Sequence, residues 1–146
     1  MPARSRKDEE DPGKPLVLLV DDYADNREAY ALYLRFKGYR VEEAEDGHEA
    51  LERAFETRPD LIVMDLSLPG LDGWAATRTL KQDRRTRDVP VIALTGHALE
   101  GQSESARAAG CDAFITKPCE PNVLEAEIRR ILDEAPLGSR HGKRRG

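Results

Sequence analysis

Four short apolar runs, each followed at once by polar or charged residues, restrict the fold of this chain more than any other feature. None of the runs alternates apolar with polar side chains, so none is typical of a strand with one face in water. The runs and the residues after them are 16–20 before Asp21 and Asp22, 61–64 before Asp65, 89–94 before Thr95, and 113–116 before Lys117. Strands buried on both faces have this composition, and they occur in parallel sheets.

Segments with helical periodicity separate these runs. The predicted helices span 25–37, 47–57, 72–85, 99–109 and 121–134, and a further short strand is predicted at 39–44. Strict alternation of strands and helices indicates an α/β fold with helices on both faces of a parallel sheet. Right-handed crossovers then favour a flavodoxin-like, five-stranded sheet of order 2-1-3-4-5.

The first predicted helix has an apolar stripe that we expect to face the core. Its members are Ala29, Tyr30, Tyr33, Leu34 and Phe36. Gly38 follows the helix, where glycine commonly stops one.

The ends of the chain differ from its centre in composition and charge. Residues 1–14 are predicted to be a disordered leader and residues 135–146 a basic disordered tail, which leaves 15–134 as one folded domain. The net charge of the whole chain is −5. Because the acidic residues concentrate in the centre, the sequence argues against nucleic acid as a main partner.

No segment of the sequence predicts a membrane or a secretory destination. The chain has no apolar stretch long enough to cross a bilayer, and its charged N-terminus lacks the apolar core of a signal peptide. Cys111 and Cys119 are not part of any Cys/His cluster, so we expect reduced thiols. The expected location is the cytoplasm.

The polar residues after the runs are predicted to form one site. The carboxyl ends of parallel strands lie at one edge of a sheet, and ligands bind there. Asp21, Asp22 and Asp65 would repel one another at that edge, so a cation must offset them. Lys117 supplies one positive charge, and a divalent ion with oxygen ligands, for which Mg²⁺ is the best match, supplies the rest.

Such a site also suits phosphoryl transfer. A carboxylate beside a metal can act as a nucleophile toward phosphorus and form an aspartyl phosphate. A cation and a small hydrogen-bond donor must then hold the phosphoryl oxygens, and Lys117 and Thr95 are residues of those types. The backbone carbonyl of Ser67, in the turn after Asp65, is a candidate metal ligand.

The motifs resemble those of a known family, the receiver domain of bacterial two-component response regulators, and in particular its single-domain, chemotaxis-regulator-like members. The matching segments are 18–22, 63–73, 93–98 and 109–118. Order and spacing both agree, with 43 residues from Asp22 to Asp65, 30 from there to Thr95 and 22 more to Lys117. The similarity covers about residues 15–134, the whole predicted domain.

The resemblance implies a role for each site residue. Asp65 corresponds to the phosphoacceptor, Asp22 to a direct Mg²⁺ ligand and Asp21 to a ligand acting through water. Lys117 corresponds to the phosphate-binding lysine and Thr95 to the switch hydroxyl. Two further residues follow the family pattern: Phe114 matches its aromatic switch, and Pro118 follows a bond that the family often holds in cis.

The resemblance also implies partners. A sensor histidine kinase or a histidine phosphotransfer protein would donate the phosphoryl group, and a downstream protein would bind the face formed by 99–134. The chain would be a signalling protein that assists its own phosphorylation and dephosphorylation, not an enzyme. Since only 12 residues follow Glu134, no output domain is expected. Dimerisation on phosphorylation stays open.

Three alternatives remain at this point. A Mg²⁺-dependent phosphohydrolase of the haloacid dehalogenase type also uses an aspartate nucleophile, but it needs a second Asp where this chain has Ser67. A flavodoxin-type cofactor binder needs a hydroxyl- and Gly-rich loop after the first strand, where residues 21–27 instead include three aspartates that would repel a phosphate. A phosphorylation-independent binding module would keep the fold without using the acidic residues.

Overall fold

A computed structural model describes residues 13–66, 73–95 and 110–134 of the 146-residue chain. Within those residues, strands and helices follow one another along the chain. They are β1 (Leu16–Val20), α1 (Ala24–Phe36), β2 (Arg40–Ala44), α2 (Gly47–Thr57), β3 (Leu61–Asp65), α3 (Gly73–Gln82), β4 (Val91–Thr95), β5 (Ala113–Thr116) and α4 (Pro121–Glu134). The predicted helix at 99–109 lies outside the described residues.

The five strands form one parallel sheet of order β2-β1-β3-β4-β5, which confirms the predicted order. The register aligns the carboxyl ends of β1, β3, β4 and β5. Val20 pairs with Met64, Asp65 with Leu94, and Thr95 with Thr116. The residues that end or follow these strands therefore meet at one edge of the sheet.

The core has two halves, one on each face of the sheet. On one face Leu18, Ile62 and Met64 pack with residues of α2 and α3, and on the other Val17, Leu19 and Val63 pack with residues of α1 and α4. Every residue of β1, β3 and β4 is buried. Burial on both faces explains why these strands show no alternation in sequence. No helix among the described residues has the length and apolarity needed to cross a bilayer.

The stripe predicted for α1 is wrong for two of its members. Tyr30 and Leu34 are buried as expected, but Ala29 is exposed and Phe36 is 81% exposed. The buried face of α1 consists of Tyr30, Ala31 and Leu34. Apolar residues occur on all sides of this helix, so their spacing alone does not select the face that packs against the sheet.

Local signals explain several element ends. Gly38 has a positive φ of 103° and its N–H donates to the carbonyl of Arg35, as expected of a glycine stop. The Asp46 carboxylate caps α2 by accepting the N–H of Glu49 at 2.8 Å. β4 begins at Val91, two residues later than predicted, because Pro90 has no N–H to donate to a neighbouring strand.

The third helix is shorter than predicted, ending at Gln82 instead of residue 85. After it the chain turns, and the Thr86 hydroxyl donates to the carbonyl of Leu80 at 2.6 Å. This bond satisfies a carbonyl at the end of the helix that has no partner within the helix itself. The predicted bounds of α2, β5 and α4 agree with the structure.

Candidate functional site

The predicted site residues do meet at the carboxyl edge of the sheet. Asp65 and Thr95 are the last residues of β3 and β4, while Asp21 directly follows β1 and Lys117 directly follows β5. Asp22 comes next along the chain, before α1. Every one of these positions is fixed by the end of a strand, so the sheet itself assembles the site.

Three carboxylates form the centre of the site. One ligand oxygen from each of Asp21, Asp22 and Asp65 lies within 4.8 Å of the others. Asp21 and Asp65 are buried, whereas Asp22 is exposed. Three negative charges at this separation repel one another, and burial of two of them strengthens the repulsion. The cluster therefore favours a cation.

Asp21 shows the strain of this arrangement most clearly. Its Oδ1 accepts the N–H of Tyr23 at 2.9 Å, but its buried Oδ2 has no hydrogen-bond donor among the described residues. Burial raises the pKa of Asp21, and the charges of Asp65 and Asp22 add to the rise, while the Tyr23 N–H and Lys117 oppose it. A buried carboxylate oxygen with no donor is a ready ligand for a cation.

Among the described residues, Lys117 places its positive charge next to the Asp65 carboxylate. Its Nζ lies 3.1 Å from Asp65 Oδ2, and this ion pair is largely shielded from water. The backbone N–H of Lys117 donates to the carbonyl of Thr95 at 2.7 Å, which fixes the start of the segment after β5. The Lys117–Pro118 peptide bond is cis, as the resemblance implied.

One ammonium does not balance three carboxylates, and the donor set fits a hard divalent cation. All three side chains offer carboxylate oxygens, which are the ligands that Mg²⁺ takes in proteins. The free Oδ2 of Asp21 and the exposed position of Asp22 leave room for a hydrated ion, since Mg²⁺ keeps several of its waters. The residues present thus fit Mg²⁺.

Two further predicted participants, Ser67 and Phe114, keep their roles as predictions. Ser67 is outside the described residues, so its carbonyl stays a prediction. Phe114 is half-buried on β5 and packs against the core cluster that includes Ala93, its partner in the β4–β5 register. This contact is ordinary core packing, and the switch role of Phe114 stays a prediction.

Sequence reasoning missed Arg27, which binds the backbone at the end of β1 beside the site. The Arg27 guanidinium donates to the backbone carbonyl of Asp21 at 2.9 Å and to Glu43 on β2 at 3.0 Å. It therefore joins the first turns of α1 to the end of β1 and to the neighbouring strand. An arginine six residues after the first Asp carries no signal of this contact, because Glu43 is distant in sequence.

The role of Gly73 was also missed. A Cβ at this position would lie 2.4 Å from the carbonyl oxygen of Asp65 and 2.8 Å from Cα of Leu66. The start of α3 therefore packs directly against the backbone of the central carboxylate, at a distance that only glycine allows. In the sequence Gly73 is one of several turn glycines, and nothing separates it from the others.

Comparisons with known proteins agree with this geometry. The family model described as "Response regulator receiver domain" matches residues 17–129. The polar-differentiation response regulator DivK of Brucella anthropi is 39% identical over 120 residues, which cover 82% of this chain and 97% of that protein.

Solved structures give the same result. The chemotaxis response regulator CheY4 of Vibrio cholerae superposes with a TM-score of 0.78 and 29% identity, covering 81% of this chain and 98% of that one. The receiver domain of the sensor histidine kinase PA1611 from Pseudomonas aeruginosa PAO1 has a TM-score of 0.72 and 39% identity, covering 84% of this chain and 97% of that one. That structure holds a magnesium ion coordinated in its active-site cleft.

The family match covers well over half of the chain, and the fold and the edge-of-sheet cluster agree with it. The match to this family is evidence against the haloacid dehalogenase and flavodoxin alternatives. This chain belongs to the response regulator receiver domain family of two-component signalling systems.

Proposed function

We propose that this protein accepts a phosphoryl group on Asp65 from a histidine-phosphorylated donor and signals through a phosphorylation-dependent protein–protein interaction. The observation that carries the proposal is the buried Asp65 carboxylate, with Lys117 Nζ at 3.1 Å and the carboxylates of Asp21 and Asp22 beside it. A nucleophilic carboxylate needs flanking cationic charge before a phosphoryl group can approach it.

The proposed transfer replaces one bond to phosphorus with another. An Asp65 carboxylate oxygen attacks phosphorus and forms an O–P bond, while the N–P bond of the donor phosphohistidine breaks. The imidazole nitrogen keeps the electron pair and takes a proton from solvent. A Mg²⁺ held by Asp21, Asp22 and Asp65, with the Ser67 carbonyl as a further ligand, would offset the charge on the phosphoryl oxygens.

Lys117 and Thr95 would hold the product. The Lys117 ammonium is already within hydrogen-bonding distance of the Asp65 carboxylate. It can therefore pair with a phosphoryl oxygen once that carboxylate is phosphorylated. Thr95 is the last residue of the neighbouring strand, at the same edge of the sheet. A new bond from Thr95 to the phosphoryl group would favour one arrangement of the chain after β4, with Phe114 following it.

The proposed output is binding to another protein. The surface formed by 99–134 would change with phosphorylation, and a downstream partner would bind one of its two arrangements. The donor is proposed to be a sensor histidine kinase or a histidine phosphotransfer protein, in the cytoplasm.

Phosphoramidate tests the proposal, because its N–P bond resembles that of phosphohistidine. We expect the 146-residue chain to gain one phosphoryl group, detected by intact-protein mass spectrometry, when phosphoramidate and Mg²⁺ are both present. Asp65→Asn should gain none. Asp25→Asn, which neutralises an exposed carboxylate in the first turn of α1, is the matched control and should behave as wild type.

Other outcomes would point to other functions. A folded wild-type protein that gains no phosphoryl group would favour the phosphorylation-independent binding module. Continuous release of phosphate from a generic phosphomonoester would favour a phosphohydrolase.

A further inference from the structure

A hydrogen bond from α1 crosses to the segment that carries Lys117. The Tyr30 hydroxyl donates to the backbone carbonyl of Cys119 at 2.6 Å. Tyr30 is only 7% exposed, and its ring packs in the same core cluster as Cys119. The bond joins residues 89 positions apart in sequence, and it links α1 to the segment between β5 and α4.

The segment after β5 has few other attachments to the sheet. Upstream, the N–H of Lys117 bonds to the carbonyl of Thr95 at 2.7 Å. Pro118 has no N–H to donate, and downstream the first helical bonds of α4 are those to the carbonyl of Glu120. Among the described residues, the Thr95 and Tyr30 bonds therefore fix the backbone on either side of the Lys117 side chain.

We infer that Tyr30 is a positioning residue that holds Lys117 in place against Asp65 through its hydrogen bond to the Cys119 carbonyl. The inference rests on the proposed function, since it assigns Tyr30 a part in phosphorylation at Asp65. Lys117 is a long, flexible side chain, and its backbone position decides where the ammonium can reach. Displacement of a catalytic group by about 1 Å can slow a reaction about 100-fold.

The hydroxyl stays a donor under all working conditions. Burial raises the pKa of Tyr30 to about 12, and the charges of Cys119, Asp21 and Asp65 act in the same direction. The phenol is therefore protonated at neutral pH, and the bond to the carbonyl does not depend on pH there.

Tyr30→Phe removes the bond and keeps the ring. We expect the rate of phosphorylation by acetyl phosphate with Mg²⁺ to fall about 3- to 10-fold, the rate equivalent of one neutral hydrogen bond. The Mg²⁺ dissociation constant, measured by calorimetry, should stay unchanged, because Asp21 and Asp22 directly follow β1 and Asp65 ends β3, away from the Tyr30–Cys119 bond. A general loosening of the site would change both quantities.

Tyr39→Phe is the matched control. Tyr39 is a second buried tyrosine, and its hydroxyl donates to Glu125 on α4 at 3.0 Å, away from the Lys117 segment. Its loss should lower stability without lowering the phosphorylation rate. A rate that falls equally in both variants would overturn the inference.

Two further measurements separate the inference from the proposed function. Amide hydrogen exchange at Lys117, Cys119 and Glu120 should be faster in Tyr30→Phe than in wild type or Tyr39→Phe, whether or not the protein is phosphorylated. Unchanged exchange would overturn the inference even if wild type proved to be no phosphoacceptor. In a Lys117→Gln background, Tyr30→Phe should cause no further loss of rate, and an additive loss would show that Tyr30 does not act through Lys117.

Discussion

At the scale of single residues, the site combines groups that destabilise the fold with groups that hold them there. Asp21 and Asp65 are buried like core residues although they carry charge, and one Asp21 oxygen lacks a donor among the described residues. Lys117 and Arg27 reduce the cost by binding a carboxylate and a backbone carbonyl. Buried charge of this kind is kept for function and lowers stability.

The Asp21 carboxyl gives the first prediction. Because burial raises its folded pKa above 3.8, the folded state keeps this proton at pH values where the unfolded chain has released it. Its contribution to the free energy of unfolding is therefore complete below pH 3.8 and is lost as the pH rises through the folded pKa. Asp21→Asn should thus be more stable than wild type at pH 7 without Mg²⁺, by about 1 kcal/mol or more.

Urea unfolding at several pH values checks this prediction. The gain should shrink at low pH, where the wild-type carboxyl is protonated and resembles the amide. An Asn variant that is less stable than wild type at pH 7 would contradict the account of a strained carboxylate.

At the scale of elements, features set by local interactions could be predicted from the sequence, whereas features set by contacts between distant residues could not. Strand ends, the Gly38 stop and the sheet order follow from local composition and from connection rules, and all could be predicted. The buried face of α1 could not, because both Leu34 and Phe36 fit an apolar stripe. The contacts of Arg27, Tyr30 and Gly73 could not be predicted either, since each depends on a partner brought close only by the fold.

The inner face of α1 gives the second prediction. Leu34 is fully buried, whereas Phe36 is 81% exposed. Leu34→Ala should lower the free energy of unfolding by about 2–5 kcal/mol, and Phe36→Ala should change it by about 0.5 kcal/mol or less. Denaturant unfolding of the two variants measures both values. A larger loss for Phe36→Ala than for Leu34→Ala would mean that α1 packs with a different face.

The start of α3 gives the third prediction. In Gly73→Ala the new methyl group would meet the Asp65 carbonyl oxygen at 2.4 Å, so α3 must shift away from β3. We expect a loss of about 2 kcal/mol or more and a weakened Mg²⁺ site, because the displaced backbone carries the central carboxylate. Denaturant unfolding and calorimetric titration with Mg²⁺ measure the two effects.

Gly38→Ala is the matched control for that change. Gly38 has a positive φ of 103°, but a methyl group added there would meet no atom of the described residues within 4 Å, so backbone strain is the main cost of the substitution. Its cost should be about 1 kcal/mol, with Mg²⁺ affinity unchanged. Equal effects of the two substitutions on Mg²⁺ affinity would show that the contact with Asp65 is unimportant.

At the scale of the whole molecule, the parallel sheet brings distant segments to a single edge. The acidic cluster joins residues from β1 and β3, and Lys117 adds the segment after β5. Any ligand that binds this cluster therefore ties separate parts of the chain together. Such a ligand stabilises the folded state by mass action, since the unfolded chain does not hold the three carboxylates close to one another.

Mg²⁺ gives the fourth prediction. At a free concentration of 100 times its dissociation constant, it should raise the free energy of unfolding by about 2.7 kcal/mol. Asp22→Asn should remove most of that gain, because Asp22 is the proposed direct ligand of the ion and belongs to the carboxylate cluster. Thermal unfolding with and without Mg²⁺ measures the effect. An equal gain in wild type and Asp22→Asn would place the ion elsewhere.

The most direct test of the central claim is to locate the phosphoryl group chemically. The protein is phosphorylated with acetyl phosphate and Mg²⁺ and then treated with borohydride, which reduces an acyl phosphate to an alcohol and so converts a phosphorylated aspartate to homoserine. Peptide mass spectrometry should find homoserine at position 65 and at no other aspartate, and only when Mg²⁺ is present. Homoserine at another position, or none in a folded sample, would contradict the assignment of Asp65 as the phosphoacceptor.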